Sequence, residues 1–176
     1  MRLFILFASF VLFCFLNVFS VNAKDKGISS TPIQNFDLSK YLGKWYEIAR
    51  TDNRFEKNCK NVTANYSLRD DGGVNVLNTC STKNKDKTAK ARAYFKKSQN
   101  IGSLKVTFFW PFYGDYNIVF VDKDYQYAIV DGGSKKYLWI LSRTKTIDKK
   151  ILDNLLDISK KNGFDIQSLI HTEHTN

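Results

Sequence analysis

Proline is almost missing, with two in 176 residues, and no low-complexity tract is present, which excludes collagen-like, polyproline and disordered chains. Histidine is equally scarce: His171 and His174 both stand in the C-terminal tail, 171–176, read as solvated and short of ligands for a metal. There is no Gly-rich phosphate loop, no Gly-x-Ser-x-Gly elbow and no cysteine near a core histidine, so nucleophilic catalysis has no candidate team. The chain reads as a non-enzyme without a cofactor. Acidic residues are outnumbered, 17 against 27 basic, for a net charge of +10. What is plentiful is apolar and aromatic content, 43% and 15%, enough for one core in one domain.

The N-terminus is set aside first. Arg2, an apolar run from Leu3 to Phe19 and the small-residue end Ser20-Val21-Asn22-Ala23 describe a secretory signal peptide over 1–23. A membrane anchor is the weaker reading, because no basic stop-transfer cluster follows at once. Acylation of Cys14 is opposed by Phe13 before it. The expected location is the periplasm or outside the cell, rather than the outer membrane as a lipoprotein. Cleavage leaves 26 basic and 17 acidic residues, net +9, and two cysteines. Cys59 and Cys80, exported together to an oxidising compartment, are expected to pair. Straight strands place Cys80 opposite Thr63, too far from Cys59 for a bond, so a bulge or a curled first loop is required. The lysines are scattered along the chain, which suits a solvated surface and is compatible with peripheral contact with an anionic membrane.

From 24 to 34 the chain reads as an N-terminal arm, and 35–170 as the folded domain. A helical turn at Asp37 to Leu42 stops at Gly43. The period then changes to two. Eight runs of strand length follow: 44–51, 62–68, 74–79, 88–95, 104–110, 116–121, 125–130 and 137–143. Turn residues such as Asp70-Asp71-Gly72-Gly73 and Asp131-Gly132-Gly133-Ser134 link neighbours too tightly for parallel crossovers, so the sheet is antiparallel and up-and-down. Ile147, Ile151, Leu155 and Ile158 then recur at helical spacing, with Asp148 at the start and Gly163 past the end.

Eight antiparallel strands leave two raw edges unless the sheet closes. The expected fold is all-β: an eight-stranded antiparallel up-and-down barrel, or calyx, with one C-terminal α-helix packed outside. Alternation assigns an inward set: Val62, Ala64, Tyr66 and Leu68; Ala89, Ala91, Ala93 and Phe95; Leu104, Val106, Phe108 and Trp110; Tyr116, Ile118 and Phe120; Trp139, Leu141 and Arg143. Three inward alanines leave unfilled volume, and a barrel of this size holds one small ligand when its lining is trimmed. Glu47 on the first strand is read as a hydrogen-bonding group at the barrel floor.

Gly43-Lys44-Trp45-Tyr46-Glu47-Ile48 resembles the Gly-x-Trp signature of the lipocalin family, and Ile140-Leu141-Ser142-Arg143-Thr144 its closing arginine motif. Asp124-Tyr125-Gln126-Tyr127-Ala128 is similar to the third conserved region. Together with Tyr66-Ser67-Leu68-Arg69-Asp70-Asp71-Gly72 and Pro111-Phe112-Tyr113-Gly114, these motifs resemble the bacterial lipocalin branch related to apolipoprotein D. The resemblance implies an extracytoplasmic carrier or scavenger of a fatty acid or lysophospholipid. It also implies that Trp45 and Arg143 meet at the barrel floor. The expected ligand-binding residues are Ala64, Tyr66, Ala89, Ala91, Ala93, Phe95, Val106, Phe108, Tyr116, Ile118 and Trp139, with the chain directed toward Trp45 and a headgroup met by Arg50, Arg54 and Lys57 in the first long loop.

Two other readings stay open. One is a basic β-barrel interaction module without a small-molecule ligand, its interior filled by aromatic side chains. The other, a nucleic-acid platform, needs lysines and aromatics on one outer face; the inward alternation and the export signal oppose it, so no nucleic acid is expected. Monomer or weak homodimer is the expected state.

Overall fold

A computed structural model describes residues 31–175. The signal peptide, Cys14 and the first part of the arm lie outside the described residues. After a helical turn, α1 (Leu38–Tyr41), capped by Asp37 through the Ser39 amide, come eight strands: β1 (Gly43–Arg50), β2 (Lys60–Leu68), β3 (Val74–Ser81), β4 (Asp86–Phe95), β5 (Ser103–Phe109), β6 (Phe112–Val121), β7 (Tyr127–Asp131) and β8 (Leu138–Ser142). Each pairs antiparallel with the next, β8 returns to β1, and β1 also pairs with β2. The barrel is closed.

Helix α2 (Lys149–Lys161) packs outside. Asp148 caps it by accepting from the Lys150 amide at 2.7 Å, and Leu155 is buried against Ile48, Ala49, Ile129, Ile140 and Phe164. Its apolar stripe buries several large aliphatic side chains, each worth on the order of 1.5–3 kcal/mol, which is what holds a helix this short in place.

The seam of the barrel departs from expectation. Direct β1–β2 pairing runs only from Gly43↔Tyr66 to Tyr46↔Thr63. Beyond it the strands part, and β9 (Ile170–His171) enters the gap, with Ala49 opposite His171 and Arg50 opposite Ile170. The Asn61 amide donates to Glu173 O, Lys60 pairs with the Glu173 carboxylate, and Thr175 N donates to Asn61 Oδ1 at 2.8 Å. His174 Nε2 lies 2.7 Å from Glu47 O. The histidine tail, expected to be solvated, is instead docked, because it satisfies the backbone groups that β1 and β2 leave unpaired.

Three bulges reset the alternation. In β5–β6 the register moves from Val106↔Gly114 to Phe109↔Phe112, so Thr107 and Phe108 together face Tyr113. Phe108, expected inward, therefore joins the outer face, and Trp110 is exposed at the hairpin tip. Between Ile118 and Phe120 a second shift sends Phe120 beneath α2 rather than into the barrel. A third, between Glu47 and Ala49, turns Ala49 toward the helix and Arg50, opposite Trp139, inward. Leu68, also expected inward, ends β2 at the turn and is exposed.

The closed end is built around Arg143. Its guanidinium sits 3.8 Å over the Trp45 ring, while its nitrogens donate to the carbonyls of Lys40, Leu42, Lys44 and Tyr125. A single cation thus fastens α1, β1 and the β6–β7 turn to the floor. Arg143→Ala should cost about 3 kcal/mol and lower the melting temperature by roughly 10 °C, with a shift in tryptophan emission; an unchanged melt and spectrum would show that the clamp is not needed.

Candidate functional site

Strand direction places the loops after β1, β3, β5 and β7 at one end, opposite the plug made by α1 and Arg143. That end is the mouth. On the inner wall below it stand Ala64, Ala91 and Val106, with Gly114 opposite Val106 contributing no side chain at all. Ala64, Val106, Tyr116 and Trp139 are only half-buried and Ala89, in register with Asn78, is exposed, so solvent reaches the upper barrel from the mouth.

The lower barrel is filled. Phe36, Tyr41, Trp45, Tyr66 and Tyr125 pack there, Phe95 lies 6.3 Å from Phe36, and Ala93 and Ile118 are wholly enclosed. Trp45 has no exposed surface: its indole N–H donates to Tyr41 O at 2.8 Å and its ring is covered by Tyr41 and Arg143. Above it three hydroxyls meet, Tyr116 lying 2.8 Å from Tyr41 and 2.7 Å from Tyr66. Burial pushes the Tyr66 phenol up to about 12 and holds Tyr41 and Tyr116 well above the usual range, so all three carry their protons. Three protons serve two hydrogen bonds. One donor is left over at the base of the cavity, whichever way the chain of hydroxyls runs.

The expected headgroup residues divide. Arg54 and Lys57 are exposed on the mouth loop, Arg54 stacking 5.0 Å from Phe55. Arg50 is a correction: it is only 2% exposed and faces into the barrel because of the β1 bulge. Its Nη2 donates to Glu56 O at 2.6 Å, and its Nε lies 3.6 Å from both Glu47 Oε1 and Glu56 Oε2. Nε and Nη1 have no hydrogen-bond partner.

Glu56, Asn53 and Thr172 complete this cluster, and the motif search passed over all three. Asn53 Oδ1 accepts from the amides of Phe55 and Glu56, which turns the loop so that the Glu56 carboxylate accepts from Trp139 Nε1 at 3.1 Å. The Asn-x-x-Glu spacing is the signal that could have found it. Glu47 lies not at the floor but beside this loop, accepting from Thr172 of the docked tail. The loop ends at Cys59, disulfide-bonded to Cys80 with Cα atoms 5.4 Å apart; a register shift between Lys60 and Thr63 brings the two together. No group of His, Cys, Asp and Glu among the described residues could hold a metal ion.

Comparison with known proteins agrees with this architecture. The model of the lipocalin-like domain matches residues 36–174. The chain belongs to the lipocalin family. It is 47% identical over 147 residues to the outer membrane lipoprotein Blc of Citrobacter freundii, covering 82% of each chain, and 34% identical to mouse apolipoprotein D, covering 84% of this chain and 82% of that one. Insecticyanin from the tobacco hornworm, 21% identical, superposes with a TM-score of 0.69 over 83% of this lipocalin and 85% of its own chain. Lipocalins bind small hydrophobic ligands and act as binding or transport proteins.

Burial and the neighbouring Glu56 raise the Glu47 carboxyl well above the ordinary range, outweighing the Thr172 hydrogen bond and Arg50. The folded lipocalin therefore keeps a proton that the unfolded chain loses near pH 4.3, and this group's contribution to stability falls as pH rises beyond that point. Glu47→Gln retains the acceptor for Thr172 and removes the titration. Its urea unfolding between about pH 5 and pH 8 should show a slope shallower by up to about 1.4 kcal/mol per pH unit; parallel slopes would place the proton elsewhere.

Proposed function

We propose that this lipocalin is an extracytoplasmic carrier or scavenger that holds one fatty acid or lysophospholipid in the upper barrel. The observation that carries the reading is the small-residue wall of Ala64, Ala89, Ala91 and Gly114 above an aromatic floor, open at one end and plugged at the other. An acyl chain gains about 0.8 kcal/mol per buried methylene before the cost of association, so micromolar affinity needs no further chemistry. The chain stops at the tyrosine hydroxyls, since Trp45 is fully covered. A carboxylate or phosphate fits at the mouth, where Arg50 has unpartnered donors and Arg54 and Lys57 stand on the loop above.

The mouth is also the end that meets a membrane in this reading. Phe109, Trp110 and Phe112 are 79%, 81% and 77% exposed at the β5–β6 tip, and Arg54, Lys57, Lys83 and Lys85 are exposed on neighbouring loops of the same end. Aromatic side chains favour the interface and the cations an anionic leaflet, and the similarity to outer membrane lipoprotein Blc supports an envelope location.

Ala91→Trp, facing Val76 across the β3–β4 pair, should fill the cavity and abolish binding of a fluorescent fatty acid while the circular dichroism spectrum stays unchanged; retained binding would place the ligand outside the barrel. Phe109→Ser with Phe112→Ser should weaken sedimentation with phosphatidylglycerol vesicles by about tenfold without altering fatty-acid affinity in detergent-free solution. Equal sedimentation would remove the membrane contact from the proposal.

A further inference from the structure

The outer face of β2–β5 carries a cleft that the barrel cavity does not account for. It encloses about 700 Å³. Its floor is a cross-strand row, Ser67, Asn75, Arg92 and Thr107, each in register with the next, beside a second row of Asn65, Leu77 and Lys90. These residues alternate with inward-facing Tyr66, Val76, Ala91 and Val106, so the cleft lies on the opposite side of the sheet from the calyx.

The bulge in β5 makes this a cleft rather than an open sheet face. By turning Phe108 outward beside Tyr113 it raises an aromatic wall, extended by Trp110, at the mouth end, and Tyr94 stands on β4 beyond Arg92. No carboxylate lines the cleft, and the side chains of Lys90 and Arg92 make no hydrogen bond or ion pair with any described residue. Two uncommitted cations, three amides or hydroxyls on adjacent strands and a wall of ring faces are thus gathered in one half-open space.

We propose that this cleft is a second binding site, independent of the calyx, for a small anionic saccharide: a sugar ring bearing a phosphate or carboxylate. A sugar presents C–H faces that stack on aromatic rings, hydroxyls that both donate and accept as Asn65, Ser67 and Asn75 do, and here an anionic substituent for Lys90 and Arg92. An acyl chain would strand those polar groups. A nucleic-acid strand would have to continue past the cleft toward the β2–β3 turn, where Asp70 and Asp71 border the adjoining depression that shares Asn75 and repel a phosphodiester backbone. One anionic ring fits between the aromatic wall and those carboxylates.

The same ligand chemistry comes from a free sugar acid or from the headgroup of a glycolipid, and the test separates the two. The protein, loaded with fatty acid so that the calyx is occupied, is titrated with glucuronate, glucose 6-phosphate, glucose, inorganic phosphate and a thymidine hexanucleotide, and backbone amide shifts are followed. Both sugar anions should give saturable shifts at Asn75, Arg92 and Thr107 with affinities at least about tenfold above those of glucose and phosphate. Lys90→Ala and Arg92→Ala, both at exposed positions, should each weaken that binding by about tenfold and leave fatty-acid affinity unchanged, and Tyr113→Ala should weaken glucose 6-phosphate more than inorganic phosphate. Glucuronosyl diacylglycerol vesicles competing with glucuronate would identify a lipid headgroup as the source, and failure to compete a free sugar acid; either supports the site. Equal binding of inorganic phosphate, tighter binding of the hexanucleotide, or no saturable shift would overturn it, without bearing on the ligand in the calyx.

Discussion

Closing the sheet is the constraint on which the rest of this molecule depends, and the closure is incomplete where β1 meets β2. Four paired positions, Gly43 to Tyr46, join the two strands directly. Above them the gap would expose backbone amides and carbonyls of both edges inside a wall that must exclude water. The C-terminal segment fills it. Ile170 and His171 pair with β1, and Glu173 and Thr175 bind Asn61 on the other side. The lower seam is held instead by side chains, through the four carbonyls and one indole face gathered by Arg143. A plugged floor and a sutured upper seam together leave the mouth as the open end of the calyx.

Where each aromatic residue ends up follows from the bulges. A strand of strict alternation would put Phe108 and Phe120 in the barrel, where their rings would occupy the space that Ala64, Ala89 and Ala91 leave. The β5 bulge gives Phe108 to the outer cleft and the β6 bulge gives Phe120 to the helix interface. Tyr41, Tyr66 and Tyr116 remain inside, in the lower half, where their hydroxyls satisfy one another. The cavity is therefore a product of register as much as of residue size.

Much of this was legible in the sequence. Eight period-two runs, tight Asp/Gly turns and one amphipathic stretch specify the barrel and its helix, because each is a local pattern set by backbone geometry. Parity assigns Ala64, Tyr66, Ala91, Val106 and Trp139 correctly to the inner side wherever the ladder is regular. It fails one residue past every bulge, at Arg50, Phe108 and Phe120, since an extra residue inverts all that follows and leaves no compositional mark. The docked tail was illegible for another reason. His171 to Thr175 bind largely through backbone groups and a few small polar side chains, and hydropathy does not record an edge in need of a partner.

The buried acid at the seam joins these parts into one unit. Glu47 touches the tail through Thr172 and lies near Glu56 of the mouth loop, with Arg50 within 3.6 Å of both carboxylates. Two carboxylates and one guanidinium in a nearly dry space cannot all be charged without an unbalanced negative charge, so the proton on Glu47 is the least costly resolution. With that proton in place, one cation and one anion remain, and Glu56 is free to accept from Asn53 and Trp139 and so to shape the loop that borders the cavity. The disulfide at Cys59 limits how far that loop can swing. The order of the entrance and the docking of the tail are consequently set by the same proton, on a side chain that contributes nothing to the apolar wall.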